Sequence, residues 1–152
     1  MLHPAPTTKI DPKLARGTLE EIHAETATKP AYIVASFHNT DYRTHLEPLG
    51  GITPELKARL GKRLVGTVRA EAKRVDTCGT GGRYFEPVLG RPRRVQGVII
   101  AADNSANTIT VNAGIPITAR LTDPRQRAAE FEEGQFVTFA VLRGATFELQ
   151  ST

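Results

Sequence analysis

The chain has 152 residues, 39% of them hydrophobic and 24% charged, with a formal net charge of +4. That balance supports a modest core, argues against intrinsic disorder, and admits one ordinary domain or two very small ones. The single cysteine, Cys78, excludes an intrachain disulfide and a cysteine-built zinc site, and fits a reducing compartment.

The opening residues, MLHPAPTTKIDPK, carry Pro4, Pro6 and Pro12 and show no apolar period. Residues 1–16 therefore read as a disordered or loosely packed arm. The stretch lacks the basic head and apolar run of a signal peptide, and nothing later approaches the ~20 apolar residues of a membrane span. The expectation is a soluble, cytoplasmic protein with no membrane partner.

Three β-branched runs follow: GTLEEIH (17–23), PAYIVASF (30–37) and YRTHLEPL (42–49), with HNTD as the turn between the last two. Thr53 then caps a short helix with Pro54 at its first position, running through PELKARL to Gly61. KRLVGTVRAEAKRV (62–75) is a fourth strand, long enough to bend at Gly66, and RYFEPVL (83–89) is a fifth. After the joint GRPRR come RVQGVIIAAD (94–103), TITVNAG (108–114) and IPITARL (115–121). Asp123, Pro124 and Gln126 have the form of a cap, a first helical residue and a capping-box partner for a two-turn helix. QFVTFAVL (135–142) and ATFEL (145–149) close the chain as strands joined at Arg143-Gly144.

Both halves thus read strand, strand, strand, helix, strand, strand, with a cap–Pro–helix–Gly–strand passage in each. Five strands with a helix between the third and fourth is the layout of the OB-fold, a small Greek-key barrel. The fold class expected is mainly β: two tandem small OB-like barrels with one short helix each, over residues 17–90 and 91–152. Other small barrels, and one fused continuous sheet, are the alternatives.

Charge is uneven. Between Lys57 and Arg94 eleven Lys or Arg face only Glu71, Asp76 and Glu86, while the flanking segments are each slightly acidic. This block surrounds TCGTGG (77–82), read as a Gly-rich loop beside a ligand groove, where backbone N–H groups could approach a phosphate. It is not a Walker motif, because no Gly-Lys-Ser/Thr follows. Strand parity places Tyr32, Val34 and Ser36 on one face with Arg43 and His45, the face on which such barrels stack bases. The expected nucleic-acid-binding residues are Tyr32, Arg43, Lys62, Arg63, Arg69, Lys73, Arg74, Arg83, Tyr84, Arg91, Arg93 and Arg94. Catalytic chemistry is not expected. His38 and Asp41 flank a turn without a nucleophile, a His38–Asp41–His45 metal site is disfavoured by parity, and Cys78 has no histidine near it along the chain. No cofactor is expected. The sequence points to a non-enzymatic protein binding single-stranded DNA or RNA. The alternative is a structural or adaptor module that pairs with a protein partner, or with itself as a homo-oligomer, through strand edges.

Overall fold

The computed structural model describes residues 11–79 and 81–150. Most of the expected N-terminal arm, residues 1–10, lies outside them. Residues 15 and 16, also assigned to that arm, belong to the first strand, where Ala15 is fully buried.

The protein is mainly β. Among the described residues eleven strands form one sheet: β1 (Ala15–His23), β2 (Tyr32–Phe37), β3 (Arg43–Pro48), β4 (Arg63–Thr77), β5 (Tyr84–Glu86), β6 (Leu89–Gly90), β7 (Arg94–Asp103), β8 (Thr108–Asn112), β9 (Pro116–Leu121), β10 (Phe136–Val141) and β11 (Thr146–Leu149). One α-helical turn, α1 (Pro54–Lys57), precedes β4, and one 3₁₀ turn, Ala128–Glu130, precedes β10. α1 starts as its sequence dictates: the Leu56 N–H donates to the Thr53 hydroxyl at 3.2 Å and Pro54 occupies the first turn.

The expected pair of tandem barrels with one helix each is not what forms. β4 has 15 residues, about 50 Å at ~3.3 Å per residue. That exceeds what a single small barrel can use, and β4 serves both halves of the chain. Its residues 63–66 pair with β1 and 66–69 with β11; residues 69–72 pair with β9 and 72–77 with β10. Following hydrogen-bonded neighbours, β1, β2, β3, β11 and β4 return to β1. Likewise β7, β8, β9, β4 and β10 return to β7. Each circuit takes one strand from the other half of the chain. The expected fifth strand, 83–89, splits instead into β5, which pairs with β7, and β6, which pairs with β3. Strands that return to their starting neighbour leave few open edges, and β5 and β6 are the described strands bonded on one side alone.

The expected second helix is also absent. Asp123 does not cap it: its carboxylate accepts the Arg125 N–H at 2.9 Å and binds the Arg125 guanidinium. Gln126, the expected capping-box partner, instead clamps β4, accepting from the Val75 N–H (2.9 Å) and donating to the Val75 carbonyl (2.6 Å). The Gln126 amide thus satisfies the backbone of β4 at Val75 where a ladder partner would otherwise be needed.

Two close approaches recur. A Cβ on Gly17 of β1 would lie 2.0 Å from the Ser36 carbonyl oxygen, and one on Gly97 of β7 would lie 2.1 Å from that of Asn112. Register shifts follow between Leu19 and Glu21 in β1 and between Ile99 and Ala101 in β7. A single apolar cluster, with Phe85, Phe139 and Phe147 its largest fully buried side chains, draws on both circuits. Tyr42 ties them together: its hydroxyl donates to the Ala113 carbonyl (2.9 Å) and accepts from the Phe85 N–H (3.0 Å), and its ring lies 5.3 Å from that of Phe85.

Candidate nucleic-acid interface

The β2–β3 register, with Ile33 opposite Leu46, Val34 opposite His45 and Ala35 opposite Thr44, has the expected parity. Ile33, Ala35, Phe37, Thr44 and Leu46 are buried; Tyr32, Ser36, Arg43 and His45 are on the outer side, but Val34, expected on that open face, is covered there and only 3% exposed. β2 lies between β1 and β3, so Tyr32 is flanked on both sides. His23, its partner on β1, stacks at 4.5 Å between centroids with planes 13° apart, and His45 on β3 stacks at 5.0 Å and 27°. These separations lie in the range of favourable ring contacts. Lys29 Nζ sits 4.3 Å from the Tyr32 centroid, a cation–π contact. Tyr32 is thus the middle of a three-ring stack and does not offer the bare face expected of it.

The stack ends at a groove. β11 runs parallel to β3, and the Glu47 N–H donates to the Ala145 carbonyl at 2.9 Å, which brings the Leu142–Ala145 turn beside His45 and Glu47. The joint between β6 and β7 supplies Arg91 and the buried Pro92 from another side. Together these enclose about 500 Å³, with Lys29, Arg91, Arg143 and Glu47 as the charged lining. With the imidazole neutral, the lining carries a formal +2.

The groove's electrostatics are unbalanced. Arg91 is held below the ordinary guanidinium value by loss of water and then by the positive charges of Arg143 and Arg93, and it remains a cation. Among the described residues neither Arg91 nor Arg143 forms an ion pair. His45 is also pushed below its usual value of 6.5, first by burial and then by Lys29, with Glu21 opposing and His23 adding to the shift.

A second hollow of about 300 Å³ contains Lys73, Arg74, Arg94 and Arg125 with Asp76 and Asp123. Of the residues expected from sequence, Tyr32 and Arg91 thus meet in the groove, and Lys73, Arg74 and Arg94 meet in the hollow. Arg69 lines a third depression, where both its Nε (3.1 Å) and Nη2 (2.8 Å) are committed to Glu148. Arg43, Lys62, Arg63, Arg83 and Arg93 are exposed and line none of the three. Tyr84 is half-buried, its hydroxyl donating to Gln96 Oε1 at 3.1 Å. The Gly-rich loop does not border the groove. Its described residues turn toward β7 and β10, where the Gln96 amide donates to the Gly82 carbonyl and the Cys78 N–H to that of Phe136. Sequence reasoning missed Lys29, Arg125 and Arg143, and placed His45 on the right face without assigning it a role. His23 was recoverable from strand pairing; Arg143 was not, because only the parallel β3–β11 contact brings it there.

Among the described residues no group of three His, Cys, Asp or Glu side chains is placed to hold a metal ion. No described helix is long and apolar enough to cross a membrane. Comparison with protein families, curated proteins and solved structures finds no match.

Proposed function

We propose that this protein binds single-stranded nucleic acid without catalysing a reaction, and that the groove at the end of the ring stack is its primary contact. The observation that carries the reading is the gathering of Arg91 and Arg143 in one groove, with Arg93 near Arg91, where among the described residues no carboxylate forms an ion pair with them. Like charges held together are unfavourable until an anion arrives. Beside them His45 lines the groove, and its neutral ring suits a base as the next member of the stack. Phosphate contacts would come from Arg91, Arg143 and Lys29, and stacking from His45 with Tyr32 behind it.

In this reading each five-strand circuit is an OB-like unit, and the two units are copies of one design sharing β4. The matched glycines and register shifts of β1 and β7 support the duplication. So does a helical turn between the third and fourth strands of each circuit. A strand-edge adaptor has less to work with, since the fully one-sided strands, β5 and β6, have three and two residues. It rests on Val88, just before β6, and Leu89 within it, 51% and 65% exposed.

The test is a salt titration against a twelve-residue oligothymidylate, a duplex of equal length and heparin. Preference for the single strand supports the proposal; equal binding of all three reduces the groove to a general polyanion surface. No binding at low salt refutes it, and self-association by sedimentation would then favour the adaptor.

A further inference from the structure

The hollow and the groove lie side by side along the same two chain segments. Ala140 lines the first and Leu142 the second, two residues apart on one chain segment. Opposite them, Arg94 lines the hollow and Arg91 the groove. Arg94 pairs with Ala140 in the β7–β10 ladder, and the Val141 N–H donates to the Arg93 carbonyl at 2.8 Å. The exposed Arg93 stands at the boundary.

The two sites differ in chemistry. In the hollow both acids are already engaged. Asp123 is bound by Arg125 through Nε (3.1 Å) and Nη2 (3.0 Å), and Asp76 by Arg74 Nε at 3.2 Å. Lys73 and Arg94 form no ion pair among the described residues. Lys73 and Arg74 both face outward because the ladder slips there: Phe139 pairs with Val75 but Val141 with Ala72, which places an extra residue in β4. The one aromatic ring in the hollow's lining, Phe139, is 1% exposed and offers no face.

The geometry points to a second subsite in this hollow, for phosphodiester alone. Lys73 and Arg94 hold the backbone of the same strand whose base stacks on His45, with Arg93 bridging the two sites. This rests on the nucleic-acid reading above and adds to it a direction along the surface and a division between base and backbone contact.

Fluorescein-labelled oligothymidylates of three and twelve residues, titrated over a salt series with the full chain, test it. The wild type should bind the longer probe more tightly. Lys73→Ser with Arg94→Ser should leave the short probe unchanged and weaken the long one about ten-fold at low salt. Its log–log salt slope should also shrink by about 1.4, two phosphates at ~0.7 each. A double variant that binds the long probe like wild type overturns the subsite and leaves the groove standing on its short-probe binding. A wild type that binds neither probe overturns both proposals. If the double variant melts early, Lys73→Ser alone repeats the test at half the slope change; an unchanged slope there counts against the subsite.

Discussion

Gly66 is the most demanding position in the shared strand. It pairs with Ala15 of β1 on one side and with Leu149 of β11 on the other. A Cβ there would lie 2.2 Å from the Glu148 carbonyl oxygen and 2.5 Å from Phe147 Cζ, where ordinary contact begins at 3.4 Å. In Gly66→Ala, β11 must therefore retreat by about 1 Å, and Phe147, 2% exposed, has little space to follow. Forcing a methyl into a full core costs about 1–3 kcal/mol. Stretching one or two ladder hydrogen bonds at Glu148 and Leu149 adds about 0.5–1.5 kcal/mol each. Alanine returns about 0.5–1 kcal/mol of backbone entropy. The net is about 3 kcal/mol, or a melting temperature roughly 6–12 °C lower for a chain of this size. Gly79→Ala and Gly82→Ala, where a Cβ would meet nothing within 4 Å, are the controls and should melt with the wild type. Circular dichroism melts on the three variants check this. If Gly66→Ala melts with its controls, β11 does not pack on β4 and the first circuit is open.

Arg91→Ser with Arg143→Ser should lower the single-strand salt slope by about 1.4 with no loss of melting temperature, because removing mutually repelling charges costs the fold nothing. His45→Ala should weaken oligothymidylate binding by about 1–3 kcal/mol with the slope unchanged; a changed slope would mean that the imidazole meets phosphate and not base. His45 is held below its ordinary 6.5 by burial and Lys29, so the unfolded chain takes up this proton first. Its contribution to stability is full above about pH 6.5 and is lost as the pH falls below it. His45→Gln should therefore flatten the acid-side decline in melting temperature relative to wild type, and parallel declines would contradict the burial argument.

Local chemistry was readable from sequence wherever a side chain acts on its own segment. The parity of Tyr32 to Phe37 against Arg43 to Leu46, the Thr53 cap and the turns at Gly61 and Gly114 follow from period and residue type, and they hold. Asp123 and Gln126 show where this stops. Both are good helix-start residues, but an arginine two positions on takes one and the backbone of Val75 takes the other. The strand exchange was hidden for a related reason. Thr146–Leu149 is an ordinary short strand that could close either circuit, and chain order favours its neighbour β10. Its actual partners, β3 and β4, are chosen by closure, which no window of residues reports. The positive block between Lys57 and Arg94 was real as composition but dispersed in space, since β4 carries its residues from one circuit to the other. Arg143, from the slightly acidic C-terminal segment, enters the groove while Lys62 and Arg63 do not.

The exchange also explains how so small a chain holds its proposed site. His45 belongs to the first circuit, Arg143 to the turn that carries the chain from β10 in the second circuit to β11 in the first, and Arg91 to the joint between β6 and β7. Tandem barrels linked by a five-residue joint would leave these three groups free to move relative to one another. Ordering a rotamer-rich side chain on binding costs about 0.5–1.5 kcal/mol, and ordering whole domains costs more. Here β4 runs unbroken through both circuits, the Tyr42 hydroxyl bridges Ala113 and Phe85, and Pro92 is buried between its exposed neighbour Arg93 and the half-buried Arg91. The backbones beneath the three groups are thus set before any ligand arrives, and only side-chain rotamers remain to be fixed. On the proposed reading, a strand entering this +2 groove would make its contacts against a frame that folding has already set, and the ordering cost left to binding would be that of the side chains alone.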